Sequence, residues 1–115
     1  MTKAGFKPNE VRNLMQTTRK RYRRSGLEAI LAPQAFLEPR ILVIIAARTI
    51  SSAVVRNRVR RRLKALFQAL GFKQQKQDLI ILVKDSAVAK LSYDDLKSFM
   101  SQVFREIAKQ NPHDN

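Results

Sequence analysis

Apolar residues recur along this chain with two periods, and the switch between them marks the elements. Pro8-Asn9-Glu10 is a helix entry, and Val11, Leu14 and Met15 follow at i, i+3 and i+4. The spacing predicts a short first helix ending in Arg19-Lys20-Arg21-Tyr22-Arg23-Arg24, before Ser25-Gly26. Leu27–Ala32 reads as a strand stopped by Pro33. Ala35–Leu37 either continues it past a bend or is loop. After Pro39, the continuous run Arg40–Ala47, rich in β-branched residues, predicts a strand covered on both faces.

The period then changes. Ser51-Ser52 offers an N-cap, and Val55, Val59, Leu63, Leu66, Phe67 and Leu70 keep 3.6-residue spacing until Gly71 supplies a stop. Phe72–Gln77 reads as a polar link, and Asp78–Lys84 as a second buried strand flanked by Asp78 and Asp85 as turn residues. Ser92 and Asp95 have the spacing of a capping box. Leu96, Phe99, Met100, Val103, Phe104 and Ile107 then form the apolar face of a last helix, and 111–115 reads as a tail. The predicted order is α-β-β-β-α-β-α, the optional strand being 35–37. This is an α+β fold with helices packed on a small sheet. No repeat or linker divides it, so residues 1–115 read as one domain, with 1–26 as its basic N-terminal region.

Composition narrows the chemistry. The 115 residues include no Cys, which excludes disulfides, thiolate zinc sites and cysteine nucleophiles. The longest apolar runs, Ile41–Ala47 and Leu79–Val83, are too short to span a bilayer, and no secretory h-region follows the start. A cytoplasmic protein is expected. The basic, acid-poor N-terminus also fits a transit peptide, but the chain uses it as part of the domain.

Charge changes the picture most. Lys and Arg number 23 against nine Asp and Glu, a net +14. Residues 1–64 carry sixteen cations and three Glu, so +13 of the excess lies there. A domain so far from neutrality repels itself unless a polyanion accompanies it, and nucleic acid is the leading candidate over a membrane surface.

A protein active site is not visible. The single His, His113, lies in the tail, no Ser has a partner suggested by spacing, and Asp94-Asp95 suits helix capping and the macrodipole. No metal-ligating cluster is expected. The chemistry lies in the helix after Ser52, with six cations in residues 56–64. Arg56, Arg60 and Lys64 stack at i, i+4 and i+8, with Arg58, Arg61 and Arg62 widening the stripe. Like charges at this spacing cost roughly 0.2–0.5 kcal/mol per pair unless phosphates neutralise them. The arginine fork suits bidentate phosphate contacts. Ser51-Ser52 adds N–H groups and hydroxyls at the positive end of the dipole. Asn57 either joins this surface or hydrogen-bonds locally.

The stretch Ile50-Ser51-Ser52-Ala53-Val54-Val55-Arg56-Asn57-Arg58-Val59-Arg60-Arg61-Arg62-Leu63-Lys64 resembles the signature of the bacterial ribonuclease P protein subunit family. The match runs over Ala53, Arg56–Arg61 and Leu63-Lys64, and the flanking strands and the Leu-Ser-Tyr opening of the last helix agree with it. The resemblance covers roughly residues 27–107. It implies a compact α/β sandwich with a left-handed strand-helix-strand crossover. It also implies a protein that binds the catalytic RNA of ribonuclease P and assists it in removing the 5′ leader of precursor tRNA. Mg²⁺ would be held mainly by the RNA, and no protein or membrane partner is required. The RNA-binding residues would be Arg48, Ser52, Arg56, Asn57, Arg58, Arg60, Arg61, Arg62 and Lys64. Arg12, Arg19, Arg21, Tyr22 and Arg23 are additional candidates for RNA or leader contacts.

Two departures from the family pattern stand out. Arg48-Thr49-Ile50-Ser51 replaces the usual Lys-Lys-Val-Gly, and the first helix offers Val11, Leu14 and Met15 where members tend to place phenylalanines. Base stacking on such aromatics is worth roughly 1–3 kcal/mol. The Arg19–Arg24 run either compensates electrostatically or lies on the surface. A ribosomal, rRNA-binding protein fits the size and charge equally well, and the Arg-Asn-Arg helix argues against it. A DNA-binding regulator lacks a second short helix before a recognition helix, and a protein nuclease lacks clustered carboxylates or histidines.

Overall fold

Ser25 and Gly26 both adopt positive φ, 56° and 82°, as a two-residue type I′ hairpin turn requires at its central positions. In the computed structural model, which describes residues 21–33, 37–72 and 77–110, they join β1 (Arg21–Arg24) to β2 (Leu27–Pro33) as an antiparallel pair. The sequence reading ends a helix in this basic run, and the structure makes it a strand. Its period is two: Tyr22 packs toward Phe99, with ring centroids 5.7 Å apart, while Arg21 and Arg23 reach Glu28. A run of cations conceals that alternation. The rest of the predicted first helix, Ala35 and the tail at 111–115 lie outside the described residues, and Leu37 sits in an exposed bend.

The other strands are β3 (Ile41–Ile45) and β4 (Gln77–Val83). The sheet order is β1-β2-β4-β3, with β4 antiparallel to β2 and parallel to β3. Residues 78–83 of β4 are all buried, as a central strand covered on both faces requires. β3 is an edge strand, and Ile41, Leu42 and Ile44 are only half-buried, which corrects the expectation of full coverage. It also ends two residues early. The chain turns after Ala46, whose carbonyl accepts from the N–H groups of Thr49 and Ile50 at 2.9 and 3.1 Å.

α1 (Ala53–Ala69) connects β3 to β4, and α2 (Tyr93–Gln110) follows a short 3₁₀ segment, Ser86–Lys90. Both helices cover one face of the sheet. Val59, Leu63, Leu66 and Phe67 of α1 and Leu96, Phe99, Met100 and Val103 of α2 pack there with Leu27, Ala29, Leu31, Val43, Leu79 and Ile81. Gly71 ends α1 at φ 82°. Phe72, read from sequence as part of a polar link, is fully buried, stacked on Phe67 and edge-on to Phe104. The capping box forms: the Ser92 N–H donates to Asp95 Oδ2 at 3.0 Å and the Asp95 N–H to Ser92 Oγ at 3.1 Å. The opposite sheet face carries a smaller cluster of Ile30, Ile80 and Leu82, with Leu42 and Ile44 against it.

Asp78 is no turn residue. Its side chain is 1% exposed and accepts from Arg40 Nη2 at 2.7 Å, while its other oxygen takes the Arg40 backbone N–H at 2.9 Å. The pair fastens the entry of β3 to β4, where the Leu79 N–H also donates to the Arg40 carbonyl. Asp85 does serve the turn, capping the 3₁₀ segment by accepting from the Ala87 N–H at 2.8 Å.

Candidate nucleic-acid interface

The apolar stripe that seats α1 on the sheet fixes where its cations point. Val59, Leu63 and Leu66 face the core, so Asn57, Arg61 and Lys64 lie on the exposed side. Arg56 and Arg60 occupy one flank and Arg58 and Arg62, also four apart, the other; all four are half-buried. The cations therefore surround the outer surface of α1 from both flanks and do not form one widened stripe.

Their hydrogen bonds divide them into two groups. Arg56 Nη1 donates to the carbonyls of Ile50 and Ser51 at 2.7 and 3.0 Å. Ser52 caps the helix, its hydroxyl accepting from the Val55 N–H at 3.2 Å. Arg56 thus holds the turn that delivers Ser52, and one edge of its fork is committed to the protein. Arg58 Nη2 donates to the Ala89 carbonyl at 3.3 Å while its buried Nε has no partner, tying α1 to the 3₁₀ segment. Arg60 Nη1 donates to Asn57 Oδ1 at 3.1 Å, so Asn57 makes the local bond that sequence left open. Arg61, Arg62 and Lys64 make no hydrogen bond or ion pair with other described residues. These three, with the remaining edge of Arg60, are free to meet phosphates.

Arg48 is exposed in the turn after β3 and lines an open depression with Thr49, Ile44, Leu82 and Lys84. On the same sheet face, Arg21, Arg23 and Lys84 converge on Glu28, at 3.3, 3.0 and 2.8 Å. Burial would raise the Glu28 pKa; hydrogen bonds from Lys84, Arg23 and Arg21 and the Lys84 charge outweigh it and hold the carboxyl at about 2. Lys84 and Glu28 were not singled out by sequence, because the pairing that gathers them is set by strand register. Tyr22 turns away from this cluster and packs on Phe99, so it does not join Arg21 and Arg23 as a surface for bases. Arg12 and Arg19 lie outside the described residues.

Among the described residues no group of three or more His, Cys, Asp or Glu side chains could hold a metal ion. No helix among them is long and apolar enough to cross a membrane.

The comparisons with known proteins fit this geometry. Two solved structures share the fold. One is the Staphylococcus aureus RNase P protein, with TM-score 0.66 and 12% identity over 86% of this chain and 89% of that one. The other is a mutant of that protein described as defective in mRNA degradation activity, with TM-score 0.68 and 16% identity over 90% of this chain and 85% of that one. No curated protein sequence matches. The family model for ribonuclease P matches residues 7–108, nearly the whole chain and all of the cationic helix, and the chain therefore belongs to the ribonuclease P protein family.

Proposed function

We propose that this chain is the RNA-binding subunit of ribonuclease P, and that it grips the catalytic RNA through the outward cations of α1. In this reading the RNA, with Mg²⁺ that it holds itself, hydrolyses the phosphodiester joining the 5′ leader to precursor tRNA. The protein supplies binding and neutralisation, and it acts in the cytoplasm. The observation that carries the reading is the commitment pattern on α1. Arg56 and Arg58 spend donors on the protein's own carbonyls, while Arg61, Arg62 and Lys64 present unpaired charge. Unpaired cations packed on one helix repel one another, and phosphates relieve that repulsion. Family membership favours this role over a structural rRNA-binding one, which size and charge fit equally well.

Binding to a bacterial ribonuclease P RNA, titrated with salt, tests the reading. With about five phosphates neutralised, log affinity against log salt should slope at roughly −4. Arg61→Ala with Lys64→Ala should make that slope shallower by roughly 1.5, with the melting temperature unchanged. Arg56→Ala should weaken binding and also lower the melting temperature, because it holds the capping turn. A salt-independent affinity would overturn the phosphate-binding role.

A further inference from the structure

A second positively charged surface lies away from the signature helix. Tyr22 and Arg24 share one side of β1, two residues apart. Tyr22 packs against Phe99 of α2, which places Arg24 beside the polar side of that helix. There, Asp94, Lys97, Ser98, Ser101 and Arg105 recur at three- and four-residue spacing and, with Arg24, line an open groove of about 420 Å³.

The groove's chemistry is specific. No apolar side chain lines it, so it offers nothing to an amphipathic helix or a hydrophobic peptide. Three cations face one carboxylate. Arg24 and Lys97 make no hydrogen bond or ion pair with other described residues, and Arg105 makes only a long 3.5 Å contact to Gln102. Asp94 sits in the first turn of α2, where the helix dipole already favours an acid. The positive charge lies further along, from Lys97 to Arg105, a span of about 12 Å at 1.5 Å per residue. The hydroxyls of Ser98 and Ser101 lie between the two cations in sequence. Cations interleaved with hydroxyl donors suit a run of phosphate oxygens and carry no sequence readout.

We propose that the groove between β1 and α2 is a second binding site for an RNA phosphate backbone, separate from the cations of α1. The inference rests on the reading that this chain works on RNA. Its chemistry is met equally by the catalytic RNA and by precursor tRNA, and the two are separated by testing each alone. Two surfaces on one small domain let it bridge two RNA segments.

The test uses the full chain with Lys97→Gln and Arg105→Gln together, titrated with salt against each RNA separately. The slope of log affinity against log salt should become shallower by roughly 1.5 with at least one RNA. The RNA affected identifies the source of the phosphates. Unchanged slope and affinity with both RNAs would overturn the proposal. If the double variant melts early, Arg24→Gln, which leaves α2 intact, decides, with an expected change of roughly 0.7–0.9. These readouts need no cleavage, so they separate the groove from the subunit reading. A native protein that stimulates cleavage while the groove variant binds normally would retire the groove alone. A native protein that binds RNA but never stimulates cleavage would retire the subunit reading.

Discussion

The Glu28 carboxylate is 1% exposed yet held ionised by Arg21, Arg23 and Lys84. Its pKa falls from 4.5 to about 2. A carboxylate depressed on folding stabilises the fold above its unfolded pKa and loses that contribution as pH falls through the folded one. Stability should therefore drop between about pH 4.5 and 2, by roughly 2–3 kcal/mol from this group, since Arg23 and Lys84 are more than half exposed and partly screened. Glu28→Gln should flatten that segment of the acid-denaturation profile. An unchanged profile would mean the cluster contributes nothing to folding. Neither this cluster nor the Arg40–Asp78 pair was legible from sequence. Asp78 stands at the head of an apolar run, where turn residues are common, and its partner lies 38 residues away. Spacing rules see neighbours along one helix or strand, whereas these pairs are made by strand order.

At the scale of elements, α1 was the most legible. Its apolar stripe over Val59, Leu63, Leu66 and Phe67 repeats at helical period, and those four residues are the buried ones. Leu63→Ala or Phe67→Ala should cost roughly 2–5 kcal/mol in denaturant unfolding, because each leaves a cavity between helix and sheet. An unchanged midpoint would mean the helix packs by another face. The cationic side was legible in composition but not in use: that Arg56 clamps the Ile50 and Ser51 carbonyls depends on how the chain turns after Ala46. β1 was hidden for a different reason. Arg21–Arg24 is polar on both faces apart from Tyr22, so the clue was the turn, where Ser25-Gly26 can take two positive φ values. Gly26 is further fixed by contact, since a Cβ there would lie 2.7 Å from that of Asp85.

Over the whole molecule, sheet and helices sort charge from hydrocarbon. The helices share one core face, α1 carries its unpaired cations outward, and the β1–α2 groove carries a second group. The parallel pairing of β3 with β4 through α1 makes this possible, because the cationic helix is the crossover itself and packs against β3 on the core face of the sheet. The excess of positive charge in residues 1–64 was legible from composition; its division on α1 into clamps and unpaired cations was not, because both use arginine. The most direct measurement is precursor-tRNA cleavage by a bacterial ribonuclease P RNA at low Mg²⁺, with and without this protein. Cleavage at the mature 5′ end only in the mixture is the expected result, with protein alone inactive. Cleavage by the protein without RNA, or no stimulation even of the cognate RNA that it binds, would contradict the subunit role.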